Sequence, residues 1–271
     1  MNKLKFLGIP YLFWMILLVV IPTLFIIYIG ITDYNLYKGT GGALSLDNFE
    51  VLKDPVLIAA VKNSLRLSIQ ATLICLVIGY PVAYYLSNLK TRYKLLIVSL
   101  IILPVWSNML LRIIAFETIF FENSILNMFG ISIDIIGTDL AILIGMTSMY
   151  LPFMVLPIYT VLEKLDKSVI EASTDLGANG FQTFYKVILP LSIGGVVSGI
   201  IMTLLPAMTA FALPERLSGG KTLLIGNVLE KLIFTESNLN AASVISFALL
   251  IMIVILFMLL LKTDKEGETL I

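Results

Sequence analysis

Histidine is absent, and cysteine occurs once, at Cys75 within an apolar run. Without histidine or a cysteine pair, the chain can build neither a zinc site nor a histidine-based catalytic triad. A lone cysteine forms no intrachain disulfide, so the redox compartment leaves no trace. Charge is scarce: Asp, Glu, Lys and Arg make up 13% of the 271 residues, where a soluble domain carries about a quarter. The 18 basic residues are matched by 18 acidic ones. That balance excludes a nucleic-acid protein, which needs a basic surface to neutralise phosphates. A Walker-type nucleotide loop is also missing. Gly219–Gly220–Lys221–Thr222 superficially resembles the end of one but lacks the upstream glycine.

What the chain has in abundance is apolar residues, 59% of the total, with a mean hydropathy of +1.00. They come in long blocks with the charges gathered in short islands between them, so lipid is the expected solvent. A span needs about 20 mostly apolar residues. Six stretches qualify: Gly8–Ile31, Leu65–Leu86, Leu95–Thr118, Leu140–Leu162, Ser192–Leu213 and Ala241–Leu261. The expected fold class is therefore an all-α integral membrane protein with six transmembrane helices. Met1–Lys5 is basic, as in a signal peptide, but the apolar stretch behind it is too long for one and no small-residue cleavage site follows. It is expected to stay as the first span. Lys62, Arg66 and Gln70 sit on the leading turns of the second span, where the longer side chains can snorkel to headgroups.

Lysine and arginine in short loops set orientation. With the N-terminus inside, the inside islands hold ten: Lys3, Lys5, Lys90, Arg92, Lys94, Lys164, Lys167, Lys186, Lys262 and Lys265. The outside loops hold five, Lys38, Lys53, Arg216, Lys221 and Lys231. Both termini are expected in the cytoplasm. Pro22, Pro81, Pro104, Pro152, Pro157 and Pro206 lie within or beside the apolar blocks. Each frees a backbone carbonyl and kinks its helix, which a membrane tolerates where another helix or a water-lined cavity satisfies the freed group. Any one of them is ordinary for a membrane helix; together they fit a transporter with jointed helices. Gly195 and Gly199 give the fifth span a GxxxG spacing, which marks a close helix–helix contact within or between subunits.

The longest inside island, between the fourth and fifth spans, contains EASTDLGANGFQTFYKVILP from Glu171 to Pro190. It reads as two short helices. Val169–Leu176 has helical composition, and Gly177 suits a left-handed C-terminal cap. Asn179 is placed to cap the second helix. Phe181, Phe184, Val187 and Ile188 give that helix an apolar face, and Pro190 is expected to stop it where the next span begins. Glu171 and Asp175 sit one turn apart on one face. The pattern is not the basic amphipathic one that anionic lipid favours; it suits a protein partner with basic or donor groups. A solvated loop is the plainer alternative.

The same segment resembles the EAA motif of ABC importer permeases: Glu-Ala-Ala, three residues, Gly, nine residues, a β-branched apolar residue, any residue, then Leu-Pro. Glu171, Ala172, Ser173, Gly177, Val187, Leu189 and Pro190 stand at those positions, with Ser173 in place of the second alanine. The resemblance implies a type I ABC importer (MetI-like) permease fold. It also implies an ATPase-coupling role for Glu171, Ala172, Ser173, Asp175, Gly177, Leu189 and Pro190. The implied domains are 1–59 (first transmembrane helix and external loop), 60–262 (core transmembrane domain of five helices, with the coupling segment at 163–190) and 263–271 (cytoplasmic tail).

Three further regions are similar to permeases of the spermidine/putrescine type, in particular their PotB-like subunits. One is Leu103–Pro104–Val105–Trp106–Ser107 with Arg112, Ala115–Phe116 and Ile125–Leu126–Asn127. The second is Met149–Tyr150–Leu151–Pro152 with Leu156–Pro157. The third is Leu213–Pro214–Glu215–Arg216–Leu217–Ser218–Gly219–Gly220, which departs from the family's Pro-Glu-Leu-Leu-Gly-Gly loop at Arg216 and Ser218. The implied partners are a second homologous permease (PotC-like), two ATP-binding subunits (PotA-like), an extracytoplasmic substrate-binding protein (PotD-like) and membrane lipid. No cofactor is implied on this chain; ATP is used by the partner subunits. Related permeases for other small solutes share parts of the pattern.

A polyamine is a flexible chain of ammonium groups, which carboxylates and aromatic faces recognise; each cation–π contact contributes about 0.5–2 kcal/mol. Trp106, Arg112, Glu117, Tyr150 and Tyr159 are the substrate-path candidates. Arg112 and Glu117, five residues apart, are alternatively paired with headgroups or water at the outer interface. Asp33, Asp47, Glu50 and Asp54 in the first external loop could meet a binding protein. A membrane-embedded enzyme is disfavoured by the missing histidine and few intramembrane acids. An ion-coupled secondary transporter would show internal inverted repeats, and none is visible.

Overall fold

The computed structural model describes residues 10–89, 91–121 and 135–261. Lys3, Lys5, Lys90, Lys262 and Lys265 of the charge count, the Ile125–Leu126–Asn127 run and the tail at 263–271 lie outside the described residues. Among the described residues the chain is helical and has no named strand; two isolated bridges pair Thr32 with Leu44 and Asn35 with Thr40.

The first helix, α1, is Pro10–Gly30 and carries a π-helical stretch at Ile16–Val20. After a 3-10 turn at Asp47–Lys53 come α2 (Pro55–Ser87), α3 (Thr91–Trp106), α4 (Met109–Phe120) and α5 (Asp139–Lys164). The segment beyond α5 holds α6 (Lys167–Asp175) and α7 (Gly180–Leu191). Then follow α8 (Ile193–Met208), α9 (Ala212–Ser218), α10 (Ile225–Glu230) and α11 (Leu239–Leu261). Helices α1, α2, α5 and α11 are each long and apolar enough to cross a membrane. The pairs α3–α4 and α7–α8 bring the total to six if each bent pair counts as one span.

The span boundaries need four corrections. Helix α2 starts at Pro55, ten residues before the expected Leu65. Asp54 accepts the Val56 N–H at 2.8 Å through its carboxylate, and proline at the first helical position costs no hydrogen bond. At 33 residues α2 is roughly 50 Å long, more than the roughly 30 Å hydrocarbon core, so its polar leading turns need not enter lipid. The third span is no single rod: α3 and α4 meet at 92°. Asn108 leaves the helix with extended backbone and restarts it by accepting from the Leu110 and Leu111 amides. Pro190 does not stop the second elbow helix, which runs through it to Leu191; the chain bends by 61° at Ser192 instead. The fifth span ends at Met208, and Leu213 lies buried within α9.

The described residues form two compact units. One comprises those up to Ala59 together with Val228–Val254; the other comprises Ala60–Asn227 and the last turns from Ile255. In the first unit, side-chain amides satisfy carbonyls that the end of α1 leaves unpaired. Asn240 donates to the Ile29, Thr32 and Tyr34 carbonyls at 2.9–3.1 Å, and Asn48 donates to those of Gly30 and Thr32. Asp33 and Asp54 are occupied locally, accepting from the Gly42 and Val56 amides.

Helix α5 is the centre of the second unit. Thr138 caps it, and Asp139 in its first turn and Lys164 in its last complement the helix dipole. Ala141, Ile142, Gly145, Met146, Met149, Met154, Val155, Ile158 and Leu162 are all buried along it. Helix α8 lies directly against α5 because Gly195 and Gly199 carry no side chain. A Cβ on Gly195 would sit 2.9 Å from the Pro157 carbonyl, and one on Gly199 would sit 2.8 Å from the Met154 sulfur. The GxxxG spacing therefore serves a contact inside the chain.

Candidate functional site

The segment joining α5 to α8 folds as an elbow with polar joints. Leu165 leaves α5 in extended conformation. Asp166 then caps α6 by accepting the Ser168 N–H at 2.9 Å. That hydrogen bond holds the Asp166 carboxyl below its ordinary value. At the far end the Ala178 N–H reaches the Ser173 carbonyl at 3.1 Å and the Gly177 N–H reaches that of Thr174 at 2.9 Å. Gly177 has a φ of +86°. This is the left-handed C-terminal cap expected of that glycine, in its Schellman form. Asn179 and Gln182 close a reciprocal capping box at 2.9 and 3.1 Å, starting α7. Ser173 bridges the two helices, its hydroxyl 2.8 Å from that of buried Thr183. The residue that departs from the alanine pattern thus clamps the elbow.

The elbow has two sides. Inward, Phe184 presents to the α2 rings of Tyr80 and Tyr84, with centroids 5.7 Å away in both cases and near-perpendicular planes. The Tyr80 hydroxyl lies 2.7 Å from that of Ser192, at the bend between α7 and α8. Leu189, partly buried, gives its carbonyl to the Ser192 hydroxyl and amide. Outward, Leu176, Phe181 and Tyr185 are 88%, 77% and 62% exposed. The Phe181 and Tyr185 rings stack, 6.3 Å apart and 7° from parallel. Phe181 therefore leaves the apolar face expected to hold it beside Phe184, Val187 and Ile188. Glu171, Ala172, Asp175 and Pro190 are exposed too. The exposed residues of the elbow thus include carboxylates and aromatic rings, and aromatic rings are enriched at protein interfaces.

The five substrate-path candidates have different surroundings. Trp106 is 86% exposed, at the end of α3 beside the 92° bend. The Nε and Nη1 atoms of Arg112 are buried without a hydrogen-bond partner among the described residues. Glu117 pairs with Arg216 of α9 at 3.5 Å. Tyr150 is buried and donates to the Pro206 carbonyl of α8 at 3.3 Å. Tyr159, further along α5, lies beside Glu163. The Arg66 guanidinium meets Asp139 at 2.6 Å, and Thr222 donates to the other Asp139 oxygen. The Gly219–Thr222 stretch is thus tied to the start of α5.

Sequence reasoning misses Tyr80, Tyr84, Thr183 and Ser192. Each is an unremarkable side chain in an apolar or mixed run, and only the fold gives it a partner.

Helices bent at polar joints and an elbow with an exposed acidic–aromatic side define a membrane permease component. The family model for binding-protein-dependent transport system inner membrane components matches residues 1–263; the chain belongs to that family and is a transport permease subunit, not an enzyme. Among curated relatives, the spermidine/putrescine transport system permease protein PotB of Haemophilus influenzae is 35% identical over 272 residues, covering 97% of this chain and 95% of that protein. PotB of Escherichia coli K12 is 37% identical over 224 residues, 80% of this chain and 82% of that protein. The fold is that of type I ABC importer permeases. A chain of a bacterial ABC transporter that imports the acidic polysaccharide alginate superposes with a TM-score of 0.79 at 12% identity, covering 98% of this chain and 96% of that one.

Proposed function

We propose that this chain is one of two non-identical permease subunits of an ATP-driven polyamine importer for spermidine and putrescine. The observation that carries the substrate class is the 35% identity to a spermidine/putrescine permease over 97% of the chain. The fold likeness to the alginate transporter, at 12% identity, carries no substrate argument. The second permease completes the path, two ATP-binding subunits hydrolyse ATP, and an extracytoplasmic binding protein delivers the substrate. No cofactor resides on this chain.

The elbow docks on an ATP-binding subunit and lies in the cytoplasm with both termini. The lysine and arginine bias supports that orientation. The outward set of Glu171, Asp175, Leu176, Phe181 and Tyr185 meets the partner. The inward set of Phe184, Tyr80 and Ser192 passes its displacement to α2 and α8. Trp106, Arg112, Glu117, Tyr150 and Tyr159 are the path residues to test, Trp106 first because it is exposed beside a bend. Uptake of radiolabelled spermidine and putrescine should fall to background in a strain lacking this chain and other polyamine importers, and return when the chain is restored. Unchanged uptake in the deletion strain refutes the polyamine reading.

A further inference from the structure

Lys94 stands in the first turn of α3, where the positive end of the helix dipole makes a cation unfavourable. Its side chain is nonetheless only 17% exposed. Two acceptors from other helices hold it. The carboxylate of Glu163 lies 3.1 Å from its ammonium, and the carbonyl of Ser87, the last residue of α2, lies at 3.2 Å. That carbonyl belongs to the end of a helix, where backbone acceptors need an outside partner. Tyr159, one turn earlier on α5, acts on the same carboxylate from its own helix. One ammonium thus ties together the ends of α2, α3 and α5.

Place gives this clasp its consequence. Glu163 is the next-to-last residue of α5, and Leu165 and Asp166 alone separate α5 from α6. Displacement of the elbow therefore reaches Glu163 through a very short tether. On the other side, α3 runs from Lys94 to Trp106 at the 92° joint with α4, roughly 18 Å of continuous helix. We propose that Lys94 is a positioning residue that passes elbow movement from Glu163 into α3, and so to the joint beside Trp106. The proposal rests on the reading of the elbow as the ATPase contact. The competing account is a partly exposed ion pair that contributes little, as most do.

The test uses the complete complex, with both permeases, the ATP-binding subunits and the binding protein, reconstituted in liposomes. Substrate transported per ATP hydrolysed is read beside the amount of assembled complex. Lys94→Met and Glu163→Gln should each lower that ratio by about fivefold, within the range that network substitutions change coupling, with assembly unchanged. Lys94→Arg, which keeps a donor for both acceptors, should restore it. The double variant should be no worse than either single one, because both break the same link. An unchanged ratio in the single variants, additive losses in the double, or transport falling only in step with assembly overturns the proposal. Failure of the elbow reading shows separately: the unmodified chain would then hold no ATPase, or would hold it whatever the state of the elbow.

Discussion

Asp166 shows how much one carboxylate decides at the elbow. It begins α6 by accepting the Ser168 amide, and a carboxylate is a better acceptor there than the protonated acid. Its folded value is depressed, so its contribution to α6 is complete above the ordinary aspartate value of about 3.9 and is lost as pH falls through the lower, folded one. Amide exchange across Lys167–Asp175 should accordingly show constant protection at neutral pH and a loss below about pH 4. Asp166→Ala should lack that protection at every pH, and Asp166→Asn should keep most of it. Identical profiles in the unmodified chain and Asp166→Ala would show that the cap does not hold the helix. The caps at Gly177 and Asn179 are legible in the sequence itself, because each depends on residues within five positions. The Tyr80–Ser192 contact is not, since its partners are 112 positions apart and nothing in either neighbourhood asks for the other. The same limit hides the Arg66–Asp139 pair, 73 positions apart.

Among the elements, α5 and α8 carry the core. Backbone of α5 lies where a side chain at Gly195 would project, and two helices cannot yield cheaply at once. Gly199→Leu should lower the melting temperature of the purified protein in detergent, with overpacking costing about 1–3 kcal/mol. Gly180→Ala, where nothing lies within 4 Å of the added carbon, should leave it nearly unchanged. Equal melting of Gly199→Leu and the unmodified chain would mean that α8 does not seat on α5 as described. Apolar length finds four spans and two bent pairs, yet it cannot locate the joints. The α3–α4 bend rests on Asn108 leaving the helix and recapping it, a choice an apolar run conceals. Conversely, Pro190 looks like a stop and is not one. Its missing amide falls where the helix is already interrupted by a π-helical stretch at Phe184–Ile188, and the turn is taken at Ser192.

At the scale of the molecule, among the described residues, 6% and 17% of the most apolar windows of α1 and α11 are buried, against 56% for α5. Lipid and partner subunits are the natural cover for such faces. The exposed aromatic rings of the elbow call for a partner of another kind, because the same elbow also exposes Glu171 and Asp175. The most direct measurement is how much ATP-binding subunit stays on the permease through purification. The unmodified chain should retain it. Glu171→Lys, which reverses charge on the outer side, should lose it. Gly177→Asp should lose it too, because a residue other than glycine at a φ of +86° strains the elbow by about 1–2 kcal/mol. Full retention by both variants, with transport at the unmodified rate, would contradict the claim that this elbow is where the permease meets its ATPase.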